Sequence, residues 1–166
     1  MRVTLLLSLV VATLMGLPRA HAITLGQVDD FEDGTGLGWV NGTSAPDPSN
    51  IATGGPAGAG DNYLQVTADG AGAGGKLVTF NQKQWIGNYL QAGVTGIELD
   101  LKNFGTTPLS IRLALKTGSG SAAGYVSKTP FALPADSEWH HAVLALDAVS
   151  LTRVNSSTLT LAALLA

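Results

Sequence analysis

Apolar and polar residues alternate in this chain with a period of two, a spacing that suits strands and works against helices. Ile97, Leu99 and Leu101 alternate with Glu98, Asp100 and Lys102, and Ile111, Leu113 and Leu115 with Arg112, Ala114 and Lys116. Successive strand side chains point to opposite faces, so each run is a ribbon with one oily face and one wet face. The turn-rich connector at 103–109 has hairpin length, and keeping apolar opposite apolar across it places Asp100 against Arg112. Shorter runs lie at 28–32, 38–41, 62–67, 76–81, 124–128, 139–146 and 158–165, most of them separated by clusters of Gly, Pro, Asn, Asp or Ser. Helical spacing lasts no more than about two turns anywhere, the best short case being 146–154. Some nine or ten short strands predict an all-β fold, a two-layer antiparallel β-sandwich, in preference to an α/β architecture.

The two ends depart from that pattern. Arg2, the apolar stretch at 3–17 and Ala20-His21-Ala22 have the layout of an export signal cleaved after Ala22. Its removal leaves residues 23–166, one domain by the measure of about 100–200 residues each. Cysteine is absent from the whole chain, so the exported domain is held without disulfides and a thiol nucleophile is excluded. Arg2 and Arg19 leave with the signal, so seven of the nine basic residues face twelve acidic ones. That balance argues against nucleic acid, whose phosphates require a basic stripe. At the other end, LTLAALLA is too short to cross a bilayer, which takes about twenty residues. It reads as a buried strand at which the chain stops early, so that the closing strand of the sandwich would lie beyond Ala166.

Several motifs are weighed and set aside. The glycine-rich segments ATGGPAGAG at 52–60 and DGAGAGG at 69–75 lack both a following Lys-Ser/Thr and a helix to present amide groups, and read as loops instead of phosphate cradles. No Gly-x-Ser-x-Gly elbow occurs. Glu138 and His140 share a strand face, but a zinc site needs three or four ligands, and His141 is the only other histidine left in the processed chain. His140 is expected to face solvent and His141 to sit half-buried beside Trp139. Glu98 and Asp100 lie about 6–7 Å apart on one face, loosely within the separation a glycosidase pair needs. Arg112 would keep Asp100 ionised and nothing would keep Glu98 neutral, so a salt bridge on a wet face is the simpler reading. Asn41-Gly42-Thr43 and Asn155-Ser156-Ser157 match the glycosylation pattern.

The most specific stretch is DDFEDGTGLGW at 29–39, followed by DNYLQV at 61–66. A first strand ending in this acidic turn, a Gly-Trp and a later Asp-Asn-Tyr-Leu strand resemble the jelly-roll carbohydrate-binding modules and related galactose-binding-like domains of secreted bacterial proteins, over most of residues 28–146. The resemblance implies a jelly-roll sandwich and a structural calcium ion beside the first strand. Glu32 or Asp30 would supply the side-chain ligand and the turn at Gly60 and Asp61 the carbonyl oxygens that a hard cation prefers. The family's last-strand Asp has no counterpart here. Read from the residues alone, the acidic cluster solvates a strand end, with Asp30 and Glu32 on one face and Phe31 on the other. The layout also resembles exported bacterial proteins that carry a Pro-Glu-Pro sorting tail and a membrane helix, a tail this sequence lacks.

Sugar rings present apolar faces that stack on aromatic planes while their hydroxyls take hydrogen bonds. Trp85 and Tyr89, set among Gln84, Asn88 and other polar residues at 82–91, have that mixture. Tyr125, behind the small-residue tip at 117–121, and Arg112 complete the candidate carbohydrate-binding set, whereas Trp39 and Trp139 are assigned to the core. Three functions follow. A secreted, non-catalytic module that binds polysaccharide or a cell-surface glycan predicts an exposed platform of Trp85, Tyr89 or Tyr125. A structural or adhesive envelope protein requires them buried. A glycoside-active enzyme requires a cleft that brings Glu98 or Glu138 against another acid.

Overall fold

Residues 97–102, the clearest alternating run, lie in one of the two longest strands of the computed structural model, which describes residues 22–41, 46–68, 70, 77–118, 124–154 and 158–166. In chain order the strands are β1 (Trp39–Asn41), β2 (Ser49–Ile51), β3 (Tyr63–Gln65), β4 (Thr79–Asn81), β5 (Gly96–Lys102), β6 (Leu109–Ile111), β7 (Ala114–Lys116), β8 (Gly124–Ser127), β9 (Phe131–Leu133), β10 (Trp139–Ala145) and β11 (Leu151–Val154). Two short helices accompany them: α1 (Tyr89–Ala92) and α2 (Leu161–Leu165). Every strand pairing is antiparallel: β1 with β4, β2 with β3, β5 with β10, β6 with β9, and β8 with both β7 and β11. The fold is all-β and sandwich-like, as the alternation predicts.

Two of these sheets meet across the main core. Ile97 of β5 is buried together with Tyr125 of β8, Leu151 of β11, Val94, Leu146, Tyr89 of α1, Leu165 of α2 and Ile23 near the start of the described chain. Leu99 of β5 and Leu115 of β7 pack against the same cluster. Each side chain so removed from water contributes about 1.5–3 kcal/mol, the force that turns the oily faces of the ribbons inward.

The expected hairpin does not form. β5 pairs with β10, and its register sets Ile97 against Leu144, Leu99 against Ala142 and Asp100 against His141. Apolar still faces apolar, but across a long connection, and Arg112 is not the partner of Asp100. The run at 111–116 is split, because the chain changes partners at Arg112 and Leu113. Before this point β6 pairs with β9; beyond it β7 pairs with β8, and Ser127 N donates to Leu113 O. The Arg112 guanidinium is turned to the carbonyls of Ser127 and Lys128.

Other segments also differ from their expected form. Residues 28–32 are not a strand: Phe31 has φ 61°, and Asp30 Oδ1 accepts from Glu32 N, so a polar side chain bends the backbone locally. The expected strand at 158–165 is instead helix α2. Thr160 caps it by accepting from Ala163 N, and Leu161, Leu164 and Leu165 fall at the i, i+3, i+4 spacing that turns one face to the core. The short helical case at 146–154 is one turn, closed by Asp147 on Ser150 N and Leu151 N, before β11. The expected export signal except Ala22, the glycine-rich segment at 69–75 except Gly70, residues 119–121 of the tip at 117–121, and both glycosylation patterns except Asn41 lie outside the described residues.

Candidate functional site

The aromatic patch on this molecule forms where β5 ends, β10 begins and β3 passes beside them. The register sets Trp139 against Lys102. One residue on, Asn103 is buried and closes a tight turn, its Nδ2 donating to Thr107 O at 2.9 Å and its Oδ1 accepting from Gly105 N at 2.9 Å. That turn leaves Phe104 52 % exposed. Tyr63 of β3 lies stacked on Phe104 with ring centroids 5.9 Å apart, and meets Trp139 edge-on at 5.6 Å. The Lys102 ammonium sits 5.3 Å from the Phe104 centroid and 5.8 Å from that of Trp139, within reach of both ring faces.

The surrounding loops hold the patch in place. Trp139 Nε1 donates to Gly54 O at 3.1 Å, so the 52–60 loop forms one rim. That loop is tied to Asp61, whose carboxylate accepts from Ala57 N at 2.7 Å and whose carbonyl accepts from Gly55 N at 2.9 Å. A Cβ on Gly55 would lie 2.4 Å from Asp61 Oδ2, so only glycine closes this loop. Next to Tyr63, Asn62 N donates to Glu32 Oε1 at 2.8 Å, and Asn62 Nδ2 donates to Phe31 O at 3.0 Å.

Against this, the six side chains expected to bind carbohydrate do not assemble into a platform. Trp85 is half-buried, and its Nε1 donates to Asp29 Oδ2, the same oxygen that Trp39 Nε1 reaches, each at 2.7 Å. Tyr89 is buried in the core and donates to Trp85 O, and burial pushes its phenol above the ordinary value. Tyr125 is buried and donates to Leu159 O, with Arg153 over its ring. Gln84 accepts from Asn81 and Gln27, Asn88 caps α1 by accepting from Gln91 N, and Arg112 holds the Ser127 and Lys128 carbonyls. Polar residues beside aromatics at 82–91 are thus caps and struts. Trp139, assigned to the core, is instead part of the surface patch. The signal for it was the register of β10 on β5, which brings Trp139 to Lys102 and is not readable from one strand.

The calcium ligands implied by the resemblance are Glu32, Asp30 and Asp61. Glu32 does reach the turn at Asp61 and Asn62. Its carboxylate, and those of Asp30 and Asp61, accept from backbone amides rather than facing a common point. Asn50 Nδ2 donates to both Phe31 O and Thr35 O, at 2.7 and 2.8 Å, so the carbonyls beside Glu32 already have an amide donor. Among the described residues no three Asp, Glu or His side chains converge in a way that could hold a metal ion.

The other titratable cluster is exposed. His141 Nδ1 lies 3.0 Å from Asp100 Oδ1 and Nε2 3.9 Å from Glu98 Oε2, so an imidazole stands where Arg112 was expected. His140, expected in solvent, is the less exposed of the two histidines and pairs with Asp136. Glu138 N and the His140 ring hold the Asp136 carboxyl below the usual carboxylate range.

Comparison with protein-family models, curated proteins and solved structures finds no match. The patch and its rim are therefore read from their own chemistry.

Proposed function

We propose that the chain is a secreted, non-catalytic protein that binds carbohydrate through Tyr63, Phe104, Trp139 and Lys102. The observation that carries the reading is the half-exposed Phe104 ring, stacked on Tyr63 and spanned with Trp139 by one ammonium. Stacked rings offer a sugar an apolar face, and Lys102 offers its hydroxyls a charged donor at the edge. Rigid support from Asn103 and the 52–60 loop lowers the entropy lost on binding. The export pattern at the start of the sequence supports a ligand outside the cell.

The structural or adhesive envelope protein is the second reading. It is favoured by the burial of Tyr89 and Tyr125 and by exposed apolar side chains near the chain start, Leu25 at 71 % and Val28 at 75 %. Pull-down on insoluble cellulose, chitin and xylan separates the two. The carbohydrate reading expects retention on at least one polymer, lost on Trp139→Ala and on Phe104→Ala. Retention by both variants, or by no form of the protein, supports the envelope reading.

A further inference from the structure

The start of the described chain is strapped along the segment once expected to bind sugar. Ile23 N donates to Ile86 O at 2.8 Å, Gln27 Nε2 donates to Gln84 O at 3.0 Å, and Asp29 accepts from the Trp85 indole at 2.7 Å. Three anchors thus fall on three consecutive residues, 84–86. Gly87 backs the strap: its φ is 127°, and a Cβ there would lie 3.2 Å from Ile23 N and 3.3 Å from Ala22 Cα. Ile23 itself is only 4 % exposed and belongs to the same core cluster as Tyr89, Ile97 and Leu165, whereas Ala22 before it and Thr24 after it are exposed.

The cleavage expected after Ala22 would thus cut at the one buried residue of this stretch. We propose that the processed chain end at Ile23 is a structural part of the fold, docked on the Ile86 carbonyl with its side chain sealing the core. Hydrolysis of the Ala22–Ile23 amide consumes one water, leaving a carboxylate on Ala22 and an α-ammonium on Ile23. The ammonium keeps the donor that the amide N–H supplied, and its charge strengthens that hydrogen bond. An open groove of about 270 Å³, lined by Ala22, Ile23, Asn88, Gln91 and Ala92, lets water reach its remaining protons. The inference rests on the export pattern and is independent of any carbohydrate.

Intact-mass analysis of the exported protein, followed by exposure of the folded protein to a broad-specificity aminopeptidase, tests it. The expected result is a chain beginning at Ile23 that keeps its mass, while Ile23→Ala is trimmed at least tenfold faster. A chain beginning at Thr24 melts about 5–15 °C lower than one beginning at Ile23, the loss expected of a buried aliphatic side chain. Gln27→Ala, which leaves the core untouched, also quickens trimming. A first residue other than Ile23, equal trimming of Ile23→Ala, or equal melting of the Thr24 chain overturns the proposal.

Discussion

Asp29 decides the fate of two tryptophans. One carboxylate oxygen accepts from both indoles, and hydrogen bonds to a charged group contribute about 1.5–3 kcal/mol each, so Trp39 and Trp85 are held inward as a tilted pair 6.4 Å apart. Tyr89 is fixed in a similar way by its hydroxyl on Trp85 O. Because burial favours the neutral phenol, its stabilising effect is complete below the unfolded value near 10 and is lost as pH rises through the higher folded value. Ultraviolet difference titration of Tyr89→Phe against the parent protein is expected to show that the phenol removed ionises above the ordinary value, and ionisation at the ordinary value would count against its burial. Glu32 carries the next prediction. With its carboxylate on Asn62 N and the neighbouring carbonyls held by Asn50, millimolar calcium followed by a chelator is expected to leave the melting midpoint within about 1 °C. A calcium-dependent rise of several degrees would show that these side chains rearrange around the ion.

At the scale of elements, the two-residue period located β5 and β7, and the shorter runs held β1, β3, β4, β8 and β10. Pairing was less legible. The sequence requirement that Ile97 and Leu99 face apolar partners is met equally by Ile111 and Leu113 and by Leu144 and Ala142, and only the closed sandwich chooses the second. Strands as short as β2, β9 and β11 carry too few alternations to stand out from their loops. α2 could have been read: Thr160 before a Leu-Ala-rich turn is a helix start, and the i, i+3, i+4 leucines were visible, but a purely apolar run of this length suits a buried strand as well. The candidate site was hidden because Tyr63, Phe104 and Trp139 are far apart in the chain, Trp139 reaching Lys102 through the β5–β10 register and Tyr63 joining them by ring contacts alone. Thr160→Ala removes the cap of α2 and is expected to cost about 1 kcal/mol, read as a drop in the denaturant midpoint with an unchanged slope. No change in the midpoint would mean that α2 does not need its cap.

Over the whole molecule, one buried cluster joins the β5–β10 ribbon, the three-stranded sheet, both short helices and Ile23. Leu151, 2 % exposed, lies within it, and Leu151→Ala is expected to lower stability by about 2–5 kcal/mol in a single cooperative transition. Two separate transitions would show that the sheets fold independently. The same architecture sorts the tryptophans, the tyrosines and Phe104 into two groups: Trp39, Trp85, Tyr89 and Tyr125 turned inward, and Tyr63, Phe104 and Trp139 gathered at one rim. The most direct test pairs one member of each group, measuring polysaccharide affinity and melting midpoint for Phe104→Ala and Trp85→Ala side by side. The account predicts that Phe104→Ala weakens binding at least tenfold, about 1.4 kcal/mol, with its midpoint nearly unchanged, while Trp85→Ala melts several degrees lower and still binds within about twofold. Binding lost with Trp85→Ala and kept with Phe104→Ala would contradict it.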